Sequence, residues 1–255
     1  MASYLITGTS RGLGLALVSQ LLSLPASQVA SIFATSRSAQ PSPSLKDLID
    51  QSSGRASYIQ LDVTDTISIR TAALQIERQL QGHGLDVLIN NAGIQPVTKG
   101  GAEYMDNLTD TFNTNVNAPH EVIRTFLPLL RKGDRKVITN ISTTLGSIGT
   151  ASPFMAKLTP AYNITKAALN MLTVQYALSL GDEGFTVFCV SPGWLRTDLG
   201  GPRADLPVST GAEAVTKIIL EANQKDTNGK FLNIHVPGWE QAEGFNQYDG
   251  AEVPW

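Results

Sequence analysis

Short apolar runs recur along the chain, and stretches with apolar positions at helical spacing separate them. Ser3–Thr7, Val29–Thr35, Ser57–Leu61 and Leu85–Ile89 read as strands in the first part of the chain. Lys136–Ile141, Thr186–Ser191 and Lys230–His235 read as strands in the second. Leu13–Leu24, Ile67–Leu80, Leu108–Leu130, Ala161–Leu180 and Gly211–Gln224 read as helices, with an interruption of the long one near Pro119. Ser36–Gly54 is polar and holds Pro41 and Pro43, so it reads as a loop with a short helix at Leu45–Ile49. Strands that are apolar at nearly every position need cover on both faces. Alternating with helices, they predict a doubly wound, mainly parallel α/β sheet. No linker or repeat divides residues 1–255, so one domain is expected, with a C-terminal tail at about 237–255.

The 255 residues and 42% hydrophobic content supply a core for one such domain. A formal net charge of −3 gives no basic footprint for nucleic acid. No apolar run approaches the roughly 18 residues of a membrane span, and the start of the chain reads as a strand rather than a leader. The single cysteine, Cys189, allows no internal disulfide and fits a cytoplasmic location. In an apolar strand without a histidine partner, it reads as a buried inert thiol. The three histidines, His83, His120 and His235, stand too far apart in sequence to suggest a metal site.

The candidate chemistry starts with Tyr162 and Lys166 on one predicted helix. Residues four apart share a helix face, so the ammonium can lie near the phenol. A free phenol has a pKa of about 10, and a neighbouring cation favours its ionised form. Such a tyrosine can give a proton to a carbonyl oxygen or take one from an alcohol. Alone, the pair reads as an ordinary solvated helix face, since such pairs recur at this spacing. A second signal is Thr7-Gly8-Thr9-Ser10-Arg11-Gly12-Leu13-Gly14, between the first strand and first helix. Glycine lets backbone approach a pyrophosphate, and the helix start offers free N–H groups; the bland alternative is a tight turn. The second strand ends Ala34-Thr35-Ser36-Arg37, without the acid that a ribose 2′-hydroxyl would call for. Arg37, with Arg11 from the glycine turn, suits a 2′-phosphate. NADP(H) is therefore expected over NAD(H), unless both arginines are merely solvated.

In this order the motifs resemble the short-chain dehydrogenase/reductase family from Ser3 to about Val236. They comprise the glycine turn, Leu61-Asp62-Val63, Asn90-Asn91-Ala92-Gly93, Asn115, Ser142, Tyr162 with Lys166, and Pro192-Gly193 followed by Thr197. The resemblance implies a Rossmann-type fold and a set of roles. Asp62 and Val63 would contact adenine; Asn90, Ala92 and Gly93 would border the cofactor. Asn115 would place a water through its backbone and link Lys166 to solvent. Ser142 would hydrogen-bond the substrate oxygen and Tyr162 would be the general acid. Lys166 would hold the nicotinamide ribose and lower the tyrosine pKa. Pro192, Gly193 and Thr197 would pack on the nicotinamide, besides Gly8, Thr9, Ser10, Gly12 and Leu13 at the phosphates. The ending Gln247–Trp255 and Thr144-Leu145-Gly146-Ser147-Ile148 resemble the C-factor/sniffer-like carbonyl reductases. The stretches 154–158 and 235–246 depart from that branch.

The substrate wall is expected from Ile94, Gln95, Thr143, Thr144, Phe154, Met155, Trp194 and Leu199, with Gly200-Gly201-Pro202-Arg203 as a hinge. This mainly apolar set suggests a small hydrophobic, cyclic or aromatic ketone, although Phe154, Met155 and Trp194 are equally core residues. The expected activity is reduction of that ketone. Alcohol oxidation, epimerisation or dehydration at the same site, or dinucleotide sensing without turnover, are the alternatives. Apolar excess on the long helices, and the family habit of pairing them, suggest a homodimer or homotetramer.

Overall fold

The computed structural model describes residues 1–151, 158–243 and 246–255. Seven parallel strands form one sheet in the order β3-β2-β1-β4-β5-β6-β7. They are β1 Ala2–Thr7, β2 Val29–Ser36, β3 Ala56–Gln60, β4 Val87–Asn90, β5 Val137–Ile141, β6 Thr186–Ser191 and β7 Phe231–Asn233. The helices are α1 Gly12–Ser23, α2 Pro43–Asp50, α3 Thr66–Leu80, α4 Leu108–Phe112, α5 Ala118–Arg131, α6 Pro160–Leu180, α7 Val208–Glu221 and α8 Gln224–Thr227. Sequence boundaries differ from these by a few residues, and the expected doubly wound domain is what forms.

Strand alternation divides the core. Tyr4, Ile6, Val87, Ile89 and Phe188 face α1 and α7 and meet Leu17, Leu21, Val215 and Ile219. Leu5, Phe33, Leu88, Ile138 and Val187 face the other way, onto Ile76, Ile123, Phe126 and Ala177 of α3, α5 and α6. Every position of β1 is buried because both faces are covered. Chain order reverses between β1 and β4, which leaves a crevice beyond their carboxyl ends. Among the described residues, no helix is long and apolar enough to cross a membrane.

The expected long helix is divided near Pro119, just on its N-terminal side. Residues Asn113–Asn117 form a π-helical turn between α4 and α5, closed by Ala118 N–H donating to the Asn113 carbonyl. Pro119 sits in the first turn of α5, where a missing N–H is tolerated. It also cannot donate to the carbonyl four residues earlier, which belongs to Asn115. The break therefore falls on the proline's acceptor side.

The tail runs back along β7. Asn233 N–H donates to the Ala251 carbonyl at 2.9 Å and Val253 N–H to the Phe231 carbonyl at 2.7 Å, with antiparallel bridges at Leu232–Glu252 and His235–Asp249.

Candidate active site

The loops beyond the strands' carboxyl ends enclose a cleft of about 1660 Å³. At one end lies the glycine turn after β1. Gly8 has φ +72°, and a Cβ there would lie 2.9 Å from the Ala92 Cα; one on Gly14 would lie 2.2 Å from the Gly8 carbonyl oxygen. The turn thus fits closely against its neighbours. Gly8, Ser10, Arg11, Gly12 and Leu13 line the cleft. Thr9 does not: it is buried, and its Oγ1 donates to the Thr35 carbonyl, tying the turn to β2.

Arg37 is exposed at the end of β2 and lines the cleft. Its segment is held by Tyr58, whose hydroxyl bonds Ser36 Oγ at 2.8 Å and donates to the Ser38 carbonyl. Asp62 and Val63 follow nearby. Arg11 stands elsewhere than expected: its Nε pairs with Asp198 Oδ2 at 3.2 Å, on the segment after Thr197. Both side chains are largely exposed, so the pair contributes little and leaves the guanidinium free to swing.

Ala92 and Gly93 line the cleft, but Asn90 turns inward and donates to Asn140 Oδ1 at 2.8 Å. The asparagine that shapes the cleft is Asn91. Its Nδ2 donates to the carbonyls of Thr7 at 2.8 Å and Gly8 at 3.0 Å, clamping the glycine turn to the end of β4. The doublet Asn90-Asn91 signals an amide here; period-two alternation decides which one faces the turn.

Ser142, Tyr162 and Lys166 meet on the cleft floor. Ser142 is carried there by β5, and Tyr162 and Lys166 by one face of α6. Lys166 Nζ donates to the Ile141 carbonyl at 2.7 Å and lies 5.6 Å from the Tyr162 ring centroid. Gly146 brings the turn after Ser142 against α6: a Cβ there would lie 2.7 Å from Lys166 Cβ. Ser142 Oγ donates to Asn170 Oδ1 at 2.6 Å. Asn115 lies beneath the floor, its side chain paired with the Ile94 backbone at 2.9 Å in both directions and donating to Thr165 Oγ1 at 3.1 Å.

The electrostatics differ from the expected tuning. Burial pushes the Tyr162 phenol up rather than down. Burial lowers Lys166 from 10.5 to about 8, against a smaller opposing effect of Cys189. At 5.6 Å the lysine does not overcome the cost of a buried phenolate. Tyr162 therefore keeps its proton at neutral pH, the form a proton donor needs. Burial likewise raises the Cys189 thiol to about 12, an inert group.

Pro192, Gly193 and Thr197 border the cleft beyond β6, the strand that pairs with β5, as do the exposed Trp194 and Leu199. Ile94, Gln95, Thr143 and Thr144 complete this end. Phe154 and Met155 lie outside the described residues. The segment that departs from the branch at 235–246 and the tail after it also line the pocket, through Trp239, Asn246 and Tyr248, and the tail joins both sides. The Tyr248 hydroxyl accepts from Trp194 N–H at 3.1 Å and donates to Asp205 Oδ2 at 2.6 Å. Seven residues on, the Trp255 carbonyl accepts from Gly149 N–H at 2.7 Å and the Pro254 carbonyl from Ser147 Oγ.

A family model described as short chain dehydrogenase matches residues 3–205. The short-chain dehydrogenase anuI of Penicillium roqueforti is 32% identical over 238 residues, covering 90% of this chain and 92% of that one. Among solved structures, the carbonyl reductase Sniffer of D. melanogaster superposes with a TM-score of 0.87 at 32% identity, covering both chains completely. The NADPH-bound carbonyl reductase from chicken fatty liver gives 0.81 at 32% identity, covering 91% of this chain and 96% of that one.

Proposed function

Since the chain belongs to the short-chain dehydrogenase family, we propose that it reduces a ketone on a small hydrophobic, cyclic or aromatic molecule with NADPH. The observation that carries this reading is the meeting of Ser142, Tyr162 and Lys166 on the floor of a cleft that begins at a glycine turn. The residues present fit the cofactor: the glycine turn lining the cleft at the start of α1, no acid at the end of β2, and Arg37 in its place. The NADPH of the chicken relative supports the same choice.

NADPH, when bound, supplies hydride to the carbonyl carbon. The protein's part is to hold the oxygen and give it a proton. Tyr162, kept neutral by burial, donates that proton as negative charge develops on the oxygen. Ser142 fixes the oxygen's place. Lys166, whose Nζ now bonds the Ile141 carbonyl, keeps further donors for ribose hydroxyls and supplies positive charge beside the phenolate left behind. Asn115 continues the path toward solvent. Its backbone carbonyl, at the π-helical turn before Pro119, would place a water there.

The wall of Trp194, Leu199 and Ile94 with Thr143 and Thr144 favours an apolar ketone bearing few polar groups. A panel of such ketones, followed by loss of NADPH absorbance, tests the reading. Stoichiometric consumption supports reduction; turnover with the cofactor returned unchanged would point to epimerisation or dehydration.

We also take α6 as the contact face for a second copy, giving a homodimer or homotetramer. Ile164, Met171 and Leu178 stand seven residues apart and are 44%, 59% and 74% exposed. That spacing keeps them on one side of the helix. The single buried cysteine supports a reducing, cytoplasmic setting.

A further inference from the structure

Residues 195–206 form an excursion in the wall of the cleft, closed at its base by a parallel bridge between Leu195 and Leu206. Arg196 N–H donates to the Leu206 carbonyl at 2.9 Å, and Leu206 N–H to the Trp194 carbonyl at 3.1 Å. Trp194 Nε1 donates to the Gly200 carbonyl at 2.7 Å, which fixes the indole on the excursion. Tyr248 ties both ends of this excursion to the tail. It is 3% exposed and packs on the Gly193 turn, where an added Cβ would lie 3.1 Å from Tyr248 Cε1. Burial, with the Asp205 carboxylate beside it, pushes the phenol up, so it keeps its proton. The hydroxyl gives that proton to Asp205 Oδ2 at 2.6 Å and takes the Trp194 N–H at 3.1 Å on a lone pair. Asn246 Nδ2 donates to the same carboxylate oxygen at 2.7 Å. Tyr248 is itself held in the backbone: its carbonyl accepts from Val236 N–H at 2.9 Å, and its N–H donates to the Trp239 carbonyl at 3.1 Å.

We propose that Tyr248 is a positioning residue that sets substrate selectivity, because it holds Trp194 and Asp205 at once and so fixes the wall on which the part of a ketone remote from its carbonyl packs. The inference rests on reading the cleft as a ketone reductase site, and it adds which ketones that site favours. A bulky, flat ketone that reaches Trp194 gains from a wall already held in place, since less order is lost on binding. A small ketone that meets only the catalytic floor gains little. Ser142, Tyr162 and Lys166 stand on β5 and α6, so Tyr248 acts on binding and not on proton transfer. Trp239 leans on Tyr248, with ring centroids 5.4 Å apart, and also lines the cleft. The segment 235–246 thereby gains a role: it seats the tyrosine that seats the wall. Asp205 receives both donors on one oxygen, so the contact needs an acceptor there and not a second carboxylate oxygen.

Tyr248→Phe keeps the ring and removes both hydrogen bonds of the hydroxyl. NADPH consumption is followed with two probes, benzil as a bulky aromatic diketone and diacetyl as a small one. In Tyr248→Phe, kcat/KM for benzil should fall about tenfold, the worth of one hydrogen bond. The loss should lie in KM, as removal of binding common to ground and transition states requires. For diacetyl the loss should stay below about threefold. Amide hydrogen exchange over residues 194–206 should quicken by about tenfold while that of α6 is unchanged. Asp205→Ala should reproduce both effects, and Asp205→Asn, whose amide oxygen can take both donors, should keep the parent's selectivity. Equal losses for the two diketones, unchanged exchange at 194–206, or Asp205→Asn as impaired as Asp205→Ala would each overturn the proposal. A parent protein that consumes no NADPH with any ketone would instead remove the reductase reading, and the exchange rates would then decide whether Tyr248 holds the wall. Urea unfolding verifies that each variant is folded. Should Tyr248→Phe not fold, Asp205→Ala carries the same comparison.

Discussion

Tyr162 is buried with its proton on, and that single state determines what its substitution does. Tyr162→Phe keeps the ring and its packing and removes the donor. NADPH binding, read by fluorescence quenching, should be unchanged, and the reduction rate should fall by roughly 100- to 10,000-fold. Lys166 carries a measurable signature in stability. Burial holds it at about 8 against 10.5 for the free group, so the unfolded chain binds that proton more tightly. The group subtracts stability at all pH values below 8, and the penalty fades as pH rises from 8 to 10.5. Across that interval the parent protein should gain up to about 3 kcal/mol relative to Lys166→Met in urea unfolding. A constant difference between the two curves would mean that Lys166 is not desolvated. Arg37 tests cofactor choice. A guanidinium on a 2′-phosphate contributes about 1.5–3 kcal/mol, or tenfold to a hundredfold in affinity. Arg37→Asp should lose at least that for NADPH and little for NADH. Equal losses for the two cofactors, measured by titration, would make Arg37 a solvated surface group.

At the level of elements, helices and strands were legible because burial on both faces writes itself as continuous apolar runs in β1 and β4. The division of the long helix was less so. Pro119 marks a disturbance, yet proline is compatible with a helix's first turn, and the disturbance passes to its acceptor partner Asn115. The floor of the site was legible through spacing, since Tyr162 and Lys166 share a helix face. Asn170 continues that spacing, but an asparagine four residues beyond a lysine has no mark of its own until Ser142 is brought against it. The phenol's raised pKa was not legible either, because sequence shows a cation at helical spacing and not the depth of both groups. Gly146 makes the turn-to-helix contact testable. An added Cβ would meet Lys166 Cβ at 2.7 Å and Lys166 carbonyl carbon at 2.8 Å, contacts that force a backbone shift. Gly146→Ala should cost about 1–3 kcal/mol in unfolding free energy and lower activity beyond what stability explains, because Lys166 moves with the backbone.

For the whole molecule, the sheet order puts every strand's carboxyl end on the cleft side, which is why motifs spread from Gly8 to Thr197 converge. The exposed Ile164, Met171 and Leu178 are a surface cost for a single copy and an asset for two. Met171→Glu should convert a sedimenting dimer to monomer while leaving the cleft formed; a parent protein that sediments as a monomer at micromolar concentration would remove the paired-helix reading. The tail was recognisable as a family ending, but its contacts were not, because hydrogen bonds from the Trp194 and Gly149 N–H groups to Tyr248 and Trp255 join segments with no shared periodicity.

That tail has a practical meaning for handling the protein on solid supports. Residue 255 follows Pro254 of the pocket lining and is bonded to the Gly149 backbone, whereas Met1 precedes β1 at the end away from the cleft and is 85% exposed. A bead coupled at the last residue presses on the same hydrogen bonds that brace the substrate wall. A bead coupled at the first residue leaves the opening facing the bulk liquid, so orientation on the support, rather than loading, sets the turnover obtained per immobilised molecule.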